Sequence, residues 1–180
     1  VLLLLSSLRL TLPLFFAAMG GYFSEKSGVT QIALESYLLV GAFTAASVAH
    51  YSKSVFLAYV AAALITALFA QIFCLLVLKV KGNSIVIGTG MNLLAMGLIP
   101  IVSKSLFSST GSTPSLDLGA LNVYTPYIVL VFTIAAAYWL SEKTNWGLQM
   151  KFAGEKKLAL ESVGINPITR QWQSLTVSAF

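Results

Sequence analysis

The chain has 180 residues, of which 57% are hydrophobic and 9% are charged. Soluble domains carry about 25% charged residues, so this composition excludes an ordinary soluble domain. The formal net charge is +5, but the basic residues lie in short stretches between apolar segments, which argues against a nucleic-acid-binding protein. With one cysteine and one histidine, the sequence predicts no disulfide, no metal site and no bound cofactor.

Apolar segments recur along the chain at about the 20-residue length that a membrane-spanning helix requires. Five spans are predicted, and the last residues have the composition of the start of a sixth. The boundaries are Leu2 to Gly21, Val29 to Ala49, Val55 to Leu78, Ile85 to Val102, Val123 to Leu140, and Trp172 to Phe180 for the incomplete sixth. The sequence therefore predicts an all-α, polytopic transmembrane helical bundle, with residues 1–180 forming a single, incomplete transmembrane domain in a lipid bilayer.

Small residues recur at every fourth position of the second predicted span, at Gly41, Ala45 and Ala49. This spacing lets another helix approach closely in lipid, so these residues are candidates for helix packing. Alanine used as neutral filler explains the same pattern equally well.

Lysine and arginine are distributed unevenly between the predicted loops. Residues 22–28, 79–83 and 141–171 contain one, two and five of them, whereas residues 51–54 and 103–122 contain one each. Because basic residues are enriched in cytoplasmic loops, the first set is assigned to the cytoplasm. Residue 1 would then lie outside, which predicts that a further segment precedes it.

The longest polar stretch, residues 141–171, is predicted to be a cytoplasmic docking loop. Within it, Gly154 and Gly164 bracket the segment EKKLALESV, which is predicted to form a short helix. Glu155 would complement the dipole in the first turn, and Gly164 would be a left-handed C-terminal cap. Such a short helix is not stable alone in water, so it needs a partner surface. The apolar side chains available for this contact are Leu158, Leu160 and Val163. A solvated loop attracted to lipid headgroups by its lysines is an equal alternative.

Polar residues inside the predicted spans are candidates for a solute path. Gln31 and Glu35 are four positions apart and are predicted to share one helix face. A charge at mid-bilayer costs about 2.5–3.5 kcal/mol on insertion scales, so Glu35 is expected to face a cavity or a partner. We predict that both residues line the path, together with Thr89 and Asn92 of the fourth span. Alternatively, Glu35 is protonated or paired and only stabilises packing between subunits.

Four segments, taken in order along the chain, carry a family resemblance. They are SEKSGVTQIALE (Ser24 to Glu35), VGAFTAA (Val40 to Ala46), GNSIVIGTGMNLLAMGL (Gly82 to Leu98) and KTNWGLQMKFAGEKKLALESVGIN (Lys143 to Asn166). Together they resemble permease subunits of binding-protein-dependent ABC importers. The branch is the one for ribose-like sugars, nucleosides and branched-chain amino acids, and the simple-sugar and nucleoside group is most similar. The chain departs from the family pattern at Gln31, Ala33, Ser36, Gln149, Lys151 and Lys157.

The resemblance implies a subunit of the bacterial inner membrane that works with an ABC ATPase, a second permease subunit, identical or different, and an extracytoplasmic solute-binding protein. In such permeases the Gly-Glu segment forms a coupling helix that contacts the ATPase. The corresponding positions here are Gly154, Glu155, Ala159, Gly164 and Ile165. ATP hydrolysis is expected in the partner, because the sequence has no phosphate-binding glycine loop. Family members are longer, so we expect an N-terminal part or a truncated relative.

Two other classes stay open at this point. An ion-coupled secondary transporter would use Glu35 as its coupling site and would transport without an ATPase. A non-transporting membrane subunit would show neither solute flux nor ATPase binding.

Overall fold

The structure is a computed structural model and describes residues 2–108, 113 and 125–179. All the regular elements in these residues are helices, which confirms the predicted all-α fold. They are α1 (Leu2–Lys26), α2 (Leu34–Ser52), α3 (Val55–Cys74, continued by a π-helical turn at Leu75–Lys79), α4 (Ser84–Phe107), α5 (Thr125–Glu142), α6 (Asn145–Glu155), α7 (Lys157–Ser162) and α8 (Pro167–Val177).

The helices are grouped in two compact units. The first comprises Val1–Thr30 and Ala120–Ser178, and the second comprises Gln31–Gly119 with Ala179–Phe180. In the first unit, α1 packs against α5, α6 and α8, and α6 also packs against α5, α7 and α8. In the second unit, α2 packs against α3 and α4.

Two helices in the described part of the chain are long and apolar enough to cross a bilayer. They are Val55–Lys79, with 25 residues, and Ser84–Phe107, with 24 residues, and Pro126–Glu142 is a shorter apolar helix. Large apolar side chains on these helices face outward, as at Phe56, which is 75% exposed, and Leu93, which is 71% exposed. Extended exposed apolar surface is unusual in soluble monomers, so these helices fit a bilayer. The count of five spans and part of a sixth stays a prediction.

The junction between the first two helices differs from the prediction. α1 continues to Lys26, so residues 22–26, which were predicted as loop, are helical. The prediction ended the helix with the apolar segment, but a helix can extend beyond such a segment. α2 begins at Leu34 and not at Val29, since residues 29–32 are not helical. The prediction that Gln31 and Glu35 share a helix face is therefore wrong. Gln31 precedes α2 and is buried, whereas Glu35 lies in the first turn and is exposed.

The later spans are longer than predicted or partly outside the described residues. α4 continues past Val102 to Phe107 through Pro100, so the predicted loop from Ser103 begins later. Of the fifth predicted span, residues 123 and 124 lie outside the described residues. The predicted turn at residues 51–54 is shorter, because α2 runs to Ser52 and the chain reverses at Lys53, with φ 52°.

The polar run 141–171 contains more helix than predicted. The expected helix EKKLALESV is wrong at its N-terminal end, because Glu155 is the last residue of α6 and the helix is interrupted at Lys156. Glu155 therefore does not lie in the first turn of α7. The predicted cap at Gly164 is confirmed, with φ +78°. The Gly164 amide donates to the Glu161 carbonyl at 2.9 Å and the Ile165 amide to the Leu160 carbonyl at 3.1 Å, which is the Schellman arrangement.

The end of the chain forms a short helix that begins earlier than the predicted sixth span. Trp172 lies inside α8, which starts at Pro167 and ends at Val177. Asn166 caps α8 by accepting a hydrogen bond from the Ile168 amide at 2.9 Å. Residue 180 lies outside the described residues, so the continuation of a sixth span stays a prediction.

Candidate functional site

A cleft of about 450 Å³ lies between the end of α1 and α6 in the first unit. Its lining combines two lysines, two glutamates, two glycines and a tyrosine. These residues are Tyr22, Glu25, Lys26, Gly28, Lys151, Gly154 and Glu155. The cleft thus contains two of the predicted coupling positions, Gly154 and Glu155.

Gly28 and Gly154 bring the backbones of two segments into direct contact. A Cβ atom built on Gly28, where φ is +80°, would lie 2.7 Å from the Gly154 Cα atom. A Cβ atom built on Gly154 would lie 2.7 Å from the Lys26 carbonyl oxygen and 2.8 Å from the Gly28 nitrogen. These separations are too short for a side-chain carbon, so only glycine at both positions permits the contact. α6 therefore lies against the turn that ends α1.

Lys26 connects α1 to α5 on the same side of the cleft. Its Nζ atom forms an ion pair with Glu142 and donates to the Tyr22 hydroxyl at 2.8 Å. Burial works to lower the pKa of Lys26, but the hydrogen bonds with Glu142 and Tyr22 outweigh it and raise that pKa above 10.5. The hydrogen bond and the positive charge of Lys26 lower the pKa of Glu142 below 4.5.

α8 packs against α1 through polar side chains. The Gln171 Nε2 atom donates to the Ser27 carbonyl oxygen at 2.9 Å. The Ser174 hydroxyl donates to the Phe23 carbonyl oxygen at 2.6 Å, and its oxygen lies 3.1 Å from the Met150 sulfur. Gln171, Ser174 and Met150 are all buried. The end of α1 is thus held by both α6 and α8.

An apolar cluster joins the same helices. Its buried members are Phe23, Ala137 and Met150, from α1, α5 and α6, and the partly buried residues packed against them are Met19, Leu140, Trp146 and Val177. The cluster joins α1, α5, α6 and α8 into one packed group.

The remaining predicted coupling positions lie in α7 and directly after it. Ala159 and Gly164 are exposed, and Ile165 is half-buried. Of the three apolar residues predicted to face a partner, Leu160 is buried within the unit, whereas Leu158 and Val163 are 81% and 74% exposed. The helix is therefore anchored by Leu160 and presents Leu158, and Val163 directly after the helix is also exposed.

The predicted path residues lie in the second unit, and Asn92 has two backbone partners there. The Ser36 amide donates to Asn92 Oδ1 at 3.0 Å, and Asn92 Nδ2 donates to the Ile32 carbonyl oxygen at 3.1 Å. Asn92 of α4 thus holds the first turn of α2 and the residues before it. Thr89 differs, because its hydroxyl lies 3.0 Å from the Val86 carbonyl oxygen of its own helix.

The predicted packing residues are distributed along the face of α2 that contains the α3 contact. A Cβ atom built on Gly41 would lie 3.2 Å from the Thr66 hydroxyl of α3, so the two helices approach closely there. Ala49 is buried and Ala45 is half-buried.

The comparisons with known proteins agree with the resemblance found in the sequence. The family described as the permease component of branched-chain amino acid transport systems matches residues 3–180. This chain belongs to that permease family. It is 27% identical to the nucleoside ABC transporter permease NupC of Lactococcus lactis subsp. cremoris, over 92% of the chain and 60% of that protein. It is also 27% identical to the guanosine ABC transporter permease NupQ of Bacillus subtilis, again over 92% and 60%.

This permease chain therefore spans about 60% of the length of these curated relatives. No solved structure matches it. The family resemblance predicted from the four sequence segments is confirmed.

The sequence prediction for this permease missed Gln171 and Ser174. The start of α8 does carry a local signal, since Asn166 is a capping residue and Pro167 favours the first helical position. Likewise, Thr144 caps α6 by accepting a hydrogen bond from the Gly147 amide at 3.2 Å. The main-chain partners of Gln171 and Ser174 are more than a hundred residues away, and nothing local indicates them.

Proposed function

We propose that this chain is a membrane-spanning permease subunit of an ABC importer in a bacterial cell membrane, and that a separate ATPase binds at α7 and the adjacent cleft. The observation that carries the proposal is α7 itself. It has six residues, too few to be stable alone, yet Leu158 on the helix and Val163 directly after it are exposed. Exposed apolar side chains on a short, anchored helix are suited to a protein partner, and membership of the permease family supports an ATPase as that partner.

The charges around α7 support a cytoplasmic position for this surface. Lys151, Lys156 and Lys157 are all exposed, and basic residues of this kind are enriched on the cytoplasmic side. Glu155 adds an exposed carboxylate beside them. The second permease subunit and the extracytoplasmic solute-binding protein complete the proposed importer, and this chain hydrolyses no ATP.

The proposed solute is a nucleoside, because both relatives described above carry nucleoside or guanosine transport in their names. Gln31, Glu35, Thr89 and Asn92 are proposed to line its path. Of these, Glu35 is the exposed carboxylate, and its oxygens can accept hydrogen bonds from ribose hydroxyls.

ATPase docking is tested by expressing this chain with the candidate ATPase, purifying the chain from membranes and measuring how much ATPase is captured with it. We expect Glu155→Arg and Leu158→Asp each to weaken ATPase capture by about tenfold, as for a residue near the centre of an interface. Lys104→Glu, a charge reversal on α4, is the control and should leave capture unchanged. Normal capture by both α7-region variants would contradict the proposed docking surface.

Solute and energy source are tested together in proteoliposomes. We expect guanosine uptake that requires the ATPase and ATP inside. Uptake of ribose but not guanosine would show that the solute is a sugar and not a nucleoside. Uptake driven by an ion gradient without the ATPase would indicate a secondary transporter.

A further inference from the structure

Side chains of α8 hydrogen-bond to main-chain carbonyl groups at the end of α1. The last carbonyl groups of a helix lack part of their intrahelical partners, and here the Phe23 carbonyl oxygen accepts only a long hydrogen bond from the Ser27 amide, at 3.3 Å. Here the Ser27 carbonyl oxygen accepts a hydrogen bond from Gln171 at 2.9 Å, and the Phe23 carbonyl oxygen accepts one from Ser174 at 2.6 Å. Gln171 is 3% exposed and Ser174 is fully buried. Both bonds therefore lie away from solvent, where the loss of a hydrogen-bond partner is unfavourable.

These two side chains share the inner face of α8. Leu175 is buried beside them, whereas Thr169 and Gln173 are exposed. Apolar contacts alone would fix the position of α8 along α1 less strictly, because hydrophobic attraction is non-directional. Two hydrogen bonds to fixed main-chain oxygens instead set the position of α8 relative to α1 along the helix axis.

α7 lies in the chain between α6 and α8, the two helices that contact the end of α1. It is separated from α6 only by Lys156, and α6 contacts the turn after α1 through Gly154 and Gly28. It is followed by a four-residue connection, 163–166, that leads into α8. A displacement of α7 therefore reaches the end of α1 from two directions, through α6 and through α8.

We infer that Gln171 and Ser174 are positioning residues for energy coupling: they transmit the movement of ATPase-bound α7 to α1. This inference rests on the proposed function. Neither residue lies on the exposed surface of α7 or in the cleft, so their removal should leave ATPase binding intact. What should fail is the transfer of that movement to the membrane helix.

The test uses the complete importer in proteoliposomes, with the Gln171→Leu and Ser174→Ala variants. The readout is the ratio of guanosine transported to ATP hydrolysed, measured alongside ATPase capture. We expect capture and hydrolysis to persist while the ratio falls by about fivefold, the effect of roughly one buried hydrogen bond. Gln173→Leu is the matched control, because Gln173 lies on the same helix but bonds with Trp146 and Arg170. Its ratio should equal that of the wild type.

Three results would overturn the inference: an unchanged ratio in both variants, an equal fall in the Gln173→Leu control, or loss of ATPase capture in the variants. If Gln171→Leu is not inserted in the membrane, Ser174→Ala decides, with Ser174→Cys as a variant of near-equal volume that keeps a weak donor. A wild-type importer that transports without the ATPase would instead refute the proposed function, and the two failures are thereby distinguished.

Discussion

Lys26 at the end of α1 forms an ion pair with Glu142 at the end of α5. The two helices are far apart in sequence, and the pair joins their ends at the edge of the cleft. Tyr22 takes part as well, since its hydroxyl accepts a hydrogen bond from Lys26 and lies 3.4 Å from Glu142 Oε1.

The pair predicts how stability depends on pH. The pKa of Glu142 is lowered, so the ionised carboxylate stabilises the fold above pH 4.5, and this stabilisation is lost as the pH falls through the lowered pKa. The pKa of Lys26 is raised, so its contribution is present below 10.5 and is lost only as the pH rises through the raised pKa. Thermal unfolding of the detergent-purified protein should show that Glu142→Gln removes part of the acid-side decline.

Glu161→Gln is the control for that measurement, because Glu161 is exposed on α7. An identical acid-side decline in wild type and Glu142→Gln would show that the ion pair does not contribute.

The contact between Gly28 and Gly154 predicts a strong sensitivity to added volume. We expect Gly154→Ala and Gly28→Ala each to destabilise the protein by about 1–3 kcal/mol, because the new methyl group meets backbone and not a flexible side chain. Gly90→Ala and Gly97→Ala are controls, since among the described residues no atom beyond the neighbouring backbone of the same helix lies within 4 Å of a Cβ atom there. In these helix interiors, alanine should stabilise by about 0.5–1 kcal/mol. Thermal unfolding measures all four, and equal stability of the two pairs would contradict the close contact.

Asn92 is expected to be more important for structure than Thr89. Asn92→Leu leaves the Ser36 amide and the Ile32 carbonyl without this partner, which should destabilise the protein by about 1–3 kcal/mol. Thr89→Val removes only a hydroxyl that bonds within its own helix and should be nearly neutral for stability. If unfolding temperatures of the two variants agree, the side chain of Asn92 does not hold α2.

Glu35 has two possible roles that uptake and stability measurements separate. In the first turn of α2, its carboxylate complements the helix dipole by about 0.3–1 kcal/mol. If it also lines the solute path, Glu35→Gln and Glu35→Leu should both reduce nucleoside uptake, with the larger loss for leucine. Wild-type affinity and rate in both variants would remove Glu35 from the path and leave only the dipole role.

Apolar length is a reliable guide to the existence of α3 and α4 in this chain, because both helices are long and apolar enough to cross a bilayer. The same signal is uninformative where a helix leaves the apolar region. Residues 24–26 are polar and still helical, so the end of α1 cannot be inferred from hydropathy.

The start of α2 cannot be predicted from the local sequence, for a different reason. Ala33 at its N-cap has no side chain that can accept a hydrogen bond, and the Ser36 amide is satisfied by Asn92 from another helix. A capping group supplied from far along the sequence leaves no local pattern. The assignment of Gln31 and Glu35 to one face fails for this reason. In the polar run, by contrast, Gly164 marks the end of α7 correctly, because a left-handed cap is a local requirement.

The grip of α8 on α1 has a consequence for mutational scanning. Every amino acid supplies a carbonyl oxygen, so replacing Phe23 or Ser27 leaves both acceptors in place. A defect in such a variant reports the loss of side-chain contacts, which for Ser27 include the hydrogen bond from its hydroxyl to the Ser24 carbonyl oxygen at 2.7 Å. The donors, in contrast, exist only as the side chains of Gln171 and Ser174. In a mutational scan of both helices, we therefore expect the coupling defect only for substitutions in α8. The helix whose movement is impaired would nevertheless be α1.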